Sequence, residues 1–473
     1  MADSSKLTLI IGAGEATSIF LRNRHSSDYE VKGIVDDSVR LHGDIVEGVK
    51  VIGNIGQLEE FICLYKVKNI IYLIPSSDIS KHLTLFKAIQ KKYPTLIWLE
   101  TPPLNDISRG LRSLFELSNV NFLPVNQTPS KLILTSQQKT KVAGKIALIT
   151  GGAGSIGSKI VEELLAQNLF VTVVVIDNSE MNAYHLSEDH PKALAQKKLI
   201  IHLADYGDVA EVDKHIVQYE PTVIYHAAAY KHVNLLENGN VYTAVHNNLV
   251  KSLTLAKVIQ SHTCIKSFIL VSTDKAVNPT NVMGQTKRLV ELALNNLFNN
   301  SGVDMITVRF GNVIGSNGSV FHKFLRQIEG RQKITLTDKD VTRYFMNISQ
   351  AASLIIKISL IGERGKVYVL NMGEPIKIYD FLMEMIDKYG EPEQKRSLLI
   401  TGLRPGEKHF EELYYSHENI QPLGKDLFVG EMTDRKLDVN KLINECTQWG
   451  RNQDEALMKK WLSQIIKTQG DNQ

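Results

Sequence analysis

Short apolar runs recur along the chain, separated by segments whose apolar positions fall three and four apart. That alternation predicts strands and helices in turn, an α/β protein built on parallel sheets. The runs at 7–11, 31–35 and 67–74 come first, with helical spacing at 57–64 and 80–91. A second series follows at 145–149, 170–176, 199–203, 223–226 and 268–271. These interiors are almost continuously apolar, as strands covered on both faces should be. Between the two series, 101–141 carries Pro102, Pro103, Pro124 and Pro129 among many polar residues and reads as a connector. The pattern predicts two Rossmann-like units, 1–130 and 145–420, joined through a linker at 131–144, the second with a smaller carboxyl-terminal substrate-binding part. A helical tail is expected over 421–473, with helical spacing near 455–466.

Each unit opens with a strand that runs into a glycine turn. In the first, Gly12 and Gly14 suit a pyrophosphate at a helix amino terminus, but Thr17 stands where the third glycine of the fingerprint belongs. A nucleotide or nucleotide-sugar site and a purely structural or assembly role both stay open for this unit. The second turn reads TGGAGSIG over 150–157. There Gly151 permits the tight turn, Gly154 lets backbone approach a pyrophosphate, and Gly157 lets the helix pack closely. Ser155 and Ile156 offer amides at the positive end of the helix, so a dinucleotide is the expected ligand. The next strand ends in Asp177, 20 residues after Gly157. A carboxylate there accepts hydrogen bonds from ribose hydroxyls and repels a 2′-phosphate, which favours NAD over NADP. Ala227, Ala228 and Ala229 let backbone lie near the middle of the cofactor, and Tyr230, Lys231, His232 and Val233 lead toward the substrate side.

Chemistry concentrates in 272–287, STDKAVNPTNVMGQTK, which follows the apolar strand 268–271. Thr273, Asp274 and Lys275 set a hydroxyl, a carboxyl and an amine side by side, and Met283 and Lys287 are one helical turn apart. The Met-x-x-x-Lys pair stands where short-chain dehydrogenase/reductases carry Tyr-x-x-x-Lys. With the STDKA and NPTN motifs, the stretch resembles the bacterial UDP-N-acetylglucosamine 4,6-dehydratases of the polysaccharide-biosynthesis type. Those enzymes carry Met in place of the Tyr.

The resemblance implies a redox-neutral lyase reaction on UDP-N-acetylglucosamine: hydride leaves sugar C4 for NAD, C5 loses a proton, water leaves C6, and hydride returns to C6. It implies Lys275 as the base at C5, Asp274 as the acid at C6, Thr273 at the C4 oxygen and Lys287 on the nicotinamide ribose. The thioether of Met283 cannot take the C4 hydroxyl proton. That proton is expected on Asp274, directly or through a water held by Thr273. The resemblance further implies Asp205 and Tyr206 near the adenine and Asn248 as the residue that steadies the active-site helix. Beside the ribose acid the chain carries Asn178 and Ser179, where the resembled family usually has Arg-Ser, so Asn178 is the departure. On the sugar-nucleotide side it implies Lys231, His232, Asn281, Asn312, Ser319, Val320, Arg343 in TRYFM, and Arg404 and Glu407 in GLRPGEK. The Met-bearing form resembles the group that retains configuration at C5. A UDP-sugar 4-epimerase or dehydrogenase would want Tyr at 283, and a non-catalytic NAD-binding regulator would be expected to lack the proton-transfer set.

Composition narrows the partners. With 473 residues, 43% hydrophobic and 22% charged, and a net charge of +3, nothing calls for nucleic acid. Cys63, Cys264 and Cys446 are scattered, and no His or Cys spacing suggests a metal. No apolar run is long enough to cross a bilayer and no signal peptide is evident, so a cytoplasmic location is expected. Many members of the resembled family carry membrane helices ahead of these domains, so the chain is either a soluble member or the soluble part of an anchored protein. A homo-oligomer is expected by resemblance, through helices near 246–260 and 287–298.

Overall fold

The computed structural model describes residues 7–14, 17–18, 20–21, 30–73, 82, 85–86, 88–100, 134–299, 301–314, 316, 318–330, 332–389, 392–433, 435–449 and 454–467. Ile74, residues 80, 81, 83, 84 and 87 of the helix expected over 80–91, and the proline-bearing stretch 101–133 lie outside the described residues. The chain divides into two compact units, Met1–Asn121 and Phe122–Gln473.

The first unit holds β1 (Leu7–Ile11), β2 (Glu30–Val35), β3 (Ile45–Val46), β4 (Val49–Gly53), β5 (Asn69–Tyr72) and β6 (Ile97–Glu100) in the order 3-4-2-1-5-6. All neighbours are parallel except the β3–β4 pair. Leu9, Ile10, Ile11, Ile34, Ile70 and Ile71 are fully buried, which is why β1 and β5 read as mainly apolar, broken only by the buried Thr8 and Asn69.

The second unit is built on β7 (Ile146–Thr150), β8 (Thr172–Asp177), β9 (Leu199–Leu203), β10 (Val223–His226), β11 (Ser267–Val271) and β12 (Asp304–Arg309). Short strands β13 (Asn312–Ile314), β14 (Thr335–Leu336), β15 (Thr342–Arg343) and β16 (Phe345–Asn347) precede β17 (Lys366–Leu370), and β18 (Ile376–Lys377) and β19 (Leu399–Ile400) follow it. The nine-stranded sheet is completed by β20 (Gln421–Leu423) and β21 (Leu427–Glu431), in the order 20-21-17-12-11-10-7-8-9. Chain direction across the sheet reverses beside β7, between β8 on one side and β10 on the other. That switch point, at the carboxyl ends of the strands, is where open α/β sheets hold ligands.

The expected helical tail at 421–473 needs correcting. β20 and β21 continue the sheet antiparallel against β17. The helices Val439–Gln448 and Glu455–Lys467 are integral to the core, for each presents a stripe of apolar residues on an otherwise polar surface. Val439, Leu442, Cys446, Met458 and Leu462 pack with Val282, Met283 and Leu289 of the helix Val282–Phe298. Gln285 Nε2 also donates to Ser463 Oγ at 2.9 Å. The helices on which the resemblance puts a subunit contact are therefore covered in part by the chain's own end.

Candidate active site

The glycine turn between β7 and the helix Ser155–Ala166 leaves no space for side chains. A Cβ on Gly157 would lie 2.1 Å from the Gly151 carbonyl oxygen, and one on Gly151, at φ +68°, would lie 2.6 Å from Ala228 Cα. Asp177 ties the turn to β8, accepting the Ala153 amide on Oδ2 at 3.0 Å and the Ser179 amide on Oδ1 at 2.9 Å. The result is a cavity of about 490 Å³ lined by Gly151, Gly154, Ser155, Ile156, Gly157, Ala227 and Ala229. Gly151, Gly154 and Gly157, without Cβ atoms, beside a helix amino terminus fit the pyrophosphate of a dinucleotide.

Of the residues expected at the cofactor, Asp177, Asn178, Ser179, Asp205, Tyr206, Ala228, Asn248 and Lys287 do not line this cavity. Asn178 is exposed, and Ser179 caps the helix Glu180–Asp189 by accepting the Asn182 amide at 3.4 Å. Asp205 pairs with Lys251 and accepts the Gly207 amide at 2.8 Å. The Tyr206 side chain is a brace: its ring is buried, and its hydroxyl donates to the Asn247 carbonyl inside the π-helical turn Val245–Val250. That turn presents Asn248, which donates to Tyr230 O at 3.0 Å and Thr286 Oγ1 at 3.3 Å and accepts the Tyr230 amide at 2.8 Å. Asn248 thus joins the strand end to the helix that carries Met283 and Lys287.

A second cavity, of about 300 Å³, shares Ile156, Ala227 and Ala229 with the first and is lined further on by Thr273, Lys275, Met283, Lys287 and Asn312. Here β11 ends in a single 3-10 turn, Asp274–Ala276. The Asp274 side chain is fully buried. Its Oδ1 accepts from Thr273 Oγ1 at 2.8 Å and from Lys275 Nζ at 3.0 Å, while Oδ2 has no hydrogen-bond partner. Asn312 Oδ1 accepts from Lys275 at 3.4 Å.

The following helix begins at Val282, where Asn281 caps it by accepting the Gly284 amide at 2.8 Å. Met283 and Lys287 therefore lie in its first two turns. Gly284 allows the helix to rest on the catalytic turn, since a Cβ there would be 2.1 Å from the Lys275 carbonyl oxygen. Lys287 Nζ donates to Val271 O at 2.7 Å, and burial lowers its pKa to about 8, the charge of Glu291 opposing.

Beneath the turn lies a buried ion network. Arg309 donates to Glu291 at 2.7 and 2.8 Å and to Glu418 at 2.8 and 2.9 Å, with Arg288 Nη1 at 3.1 Å from Glu291. Burial alone would raise the Glu291 pKa, but Arg309, Arg288 and the Ser272 hydroxyl hold it at about 2. Arg309 is thus structural. Tyr415 locks the network to the turn: its ring lies 4.4 Å from the Arg288 guanidinium, and its hydroxyl donates to Ala276 O and accepts the Asn278 amide.

The third cavity, of about 480 Å³, shares Lys275, Asn312, Ser319 and Val320 with the second, so the two are contiguous. His232, Asn281, Arg343, Arg404 and Glu407 line it, and Lys231 lies on the walls of the first two cavities. Asn281 Nδ2 donates to Gly406 O at 3.1 Å, Arg343 donates to His409 O at 3.2 Å, and Glu407 accepts the Arg404 amide at 3.2 Å. Sequence reasoning missed Lys323, a further cation on this wall, and Glu411, Glu418 and Tyr415. The motif GLRPGEK pointed to the loop, but no local spacing marks those four. Among the described residues no group of three His, Cys, Asp or Glu could hold a metal, and no helix is long and apolar enough to cross a membrane.

Sheet order, the glycine turn and the helix that carries Met283 and Lys287 define a short-chain dehydrogenase/reductase-like fold. Residues 147–429 match the polysaccharide biosynthesis protein family. Capsular polysaccharide biosynthesis protein CapD of Staphylococcus aureus is 31% identical, over 94% of this chain and 75% of its own length. The X-ray structure of Pen from Bacillus thuringiensis is similar with a TM-score of 0.56 at 28% identity, covering 65% of this chain and 98% of that one. DesIV of Streptomyces venezuelae, a dTDP-glucose 4,6-dehydratase crystallised with NAD, shares the fold at TM-score 0.51 and 19% identity, over 65% of this chain and 97% of its own. The chain belongs to the polysaccharide biosynthesis protein family.

Proposed function

We propose that the chain is an NAD-dependent 4,6-dehydratase of UDP-N-acetylglucosamine that keeps the configuration at C5 and serves polysaccharide or glycoprotein sugar synthesis. The observation that carries this reading is the Asp274–Lys275 pair: a buried carboxylate with one free oxygen, bonded to an amine on the cavity wall, with Met283 where a hydroxyl would otherwise stand. When bound, the dinucleotide supplies the acceptance and return of hydride. Everything else falls to the chain. Thr273 and Asp274 are hydrogen-bonded to each other and can hold and pass the C4 hydroxyl proton, which leaves Asp274 protonated. Asp274 then delivers that proton to the C6 hydroxyl as water leaves. Lys275, as the neutral amine, removes the C5 proton and returns it on the same face. Lys287 orients the nicotinamide ribose, and Arg343, Arg404 and Lys323 supply the positive wall that a diphosphate needs. Met283 offers no proton, so an epimerase or simple dehydrogenase, which needs an acid–base hydroxyl there, fits less well.

The test is to incubate the protein with UDP-N-acetylglucosamine in deuterated water and follow the sugar by proton NMR. A new C6 methyl with deuterium at C5 supports the dehydratase, and the ring couplings report the configuration. An unchanged sugar, with NAD added, sinks it. Lys275→Ala and Asp274→Asn should each lower kcat by at least about a hundredfold, whereas Met283→Tyr should leave activity largely intact.

A further inference from the structure

Glu411 lies in the wall of the third cavity, four residues after Glu407, with its side chain 4% exposed. Lys275 Nζ is 3.9 Å from Oε1 and Lys408 Nζ is 3.9 Å from Oε2, distances too long for hydrogen bonds. Lys408 instead donates to Val277 O at 3.0 Å. Lys275 spends two of its hydrogens on Asp274 and Asn312, which leaves one for the carboxylate across the gap. The charged groups facing Glu411 are Lys275 and Asp274 from the catalytic turn, Arg343 from β15, and Lys408 from its own segment. Burial raises the pKa of Glu411 and the charge of Asp274 adds to the rise, against the pull of Lys275, Arg343 and Lys408.

An ammonium group has no lone pair, so Lys275 must give up a proton before it can take one from C5. Asp274 cannot receive that proton, because it is already occupied by the one destined for C6. We propose that Glu411 is the acceptor that makes Lys275 a base, acting through Lys275 and not on the sugar; the inference rests on the dehydratase reading. An N–H bond of Lys275 breaks and an O–H bond of Glu411 forms, giving a neutral amine and a neutral acid. The amine takes the C5 proton, later returns it to carbon, and recovers its own from Glu411. No proton is gained or lost over the turnover. The 3.9 Å gap closes by rotation of either side chain when substrate fills the cavity.

The test compares kcat against pH for the wild type and Glu411→Gln. In the wild type the pair needs only one proton between its members, so the acid limb of the profile is that of a carboxyl group. In Glu411→Gln, Lys275 must lose its proton to water, and the limb moves to higher pH. Across the neutral range, where the wild type is flat, activity of the variant should rise about tenfold per pH unit, with KM nearly unchanged. Glu411→Asp should restore the flat profile. A Glu411→Gln profile that overlays the wild type overturns the proposal, and so does a loss that alkali does not repair. A second measurement needs no substrate: lysines are reductively methylated with ¹³C, the Lys275 signal is assigned by its absence in Lys275→Arg, and its titration is followed by NMR. Removing the Glu411 charge should lower the midpoint by about one unit or more. An unmoved midpoint overturns the role of Glu411 whatever the enzyme turns over. A moved midpoint in a protein that leaves UDP-N-acetylglucosamine untouched sinks the dehydratase reading alone.

Discussion

The two glycine turns of this chain solve the same geometric problem in different ways. In each, an alanine amide donates to the aspartate that ends the second strand of its unit: Ala13 to Asp36 Oδ2 at 2.7 Å, and Ala153 to Asp177 Oδ2 at 3.0 Å. They part at the third glycine. Gly157 has no room for a Cβ, whereas the equivalent place in the first unit holds Thr17, whose hydroxyl donates to Gly12 O. The aspartate latch is thus a device for holding a turn against its strand, and by itself it says nothing about a ligand. What differs is the surface above the turn. Glycine at 151 and 157 brings the turn, the helix and the Ala227–Ala229 backbone into close contact beside an open cavity. In the first unit Thr17 is fully buried and spends its polar atom on the turn itself.

Substitutions can break this comparison. Gly157→Val should have the largest effect, since the turn must move by more than an ångström. Bound dinucleotide, assayed after denaturation, should be lost and activity should fall by at least about a hundredfold. In the first unit Gly14→Ala, at the place equivalent to Gly154, enters open space, and activity should stay within about twofold.

Acid should separate the two units next. His226, at the end of β10, is bonded to Thr150 and Ser252 and fully buried, and burial, assisted by Lys287, lowers its pKa to about 3. An unfolded histidine titrates near 6.5, so the unfolded chain binds a proton between pH 6.5 and 3 that the folded one refuses. The stability His226 confers is complete above pH 6.5 and is lost as pH falls toward 3, on the order of 4 kcal/mol over the whole window. Calorimetry should show the transition of the catalytic unit moving down with acid, and His226→Gln should flatten that dependence.

Smaller effects sharpen the contrast. Asp177→Asn and Asp36→Asn should each cost about 1.5 kcal/mol, the loss of charge in amide–carboxylate bonds, but Asp177→Asn alone should weaken dinucleotide binding, by about tenfold. Equilibrium denaturation and cofactor titration separate the two. Thr17→Val, which removes a single neutral hydrogen bond, should cost about 1 kcal/mol in the first unit and leave turnover unchanged.

The catalytic turn was more legible than its surroundings because its residues are neighbours in sequence. Thr273, Asp274 and Lys275 are adjacent, and Met283 and Lys287 share a helix face, so spacing alone groups them. The start of that helix is less legible, because Asn281 and Gly284, a cap and a packing contact, carry no apolar period. The inward turn of the Tyr206 ring was illegible for a related reason. A residue beside Asp205 on a strand-end loop has two ways to point, and burial against His226 chose the inner one.

Local order along the chain determined the strands, the glycine fingerprint and the proton-transfer triplet, for each is a matter of period or adjacency, which neighbouring residues enforce on one another. Only the tertiary structure decided that Glu411 stands beside Lys275 across 136 positions of sequence, that Arg309 is held between Glu291 and Glu418, and that the last 50 or so residues complete the sheet and cover the catalytic helix. Those contacts follow from closure of the whole sheet, where the burial of charge and apolar surface is settled between segments that carry no local sign of one another.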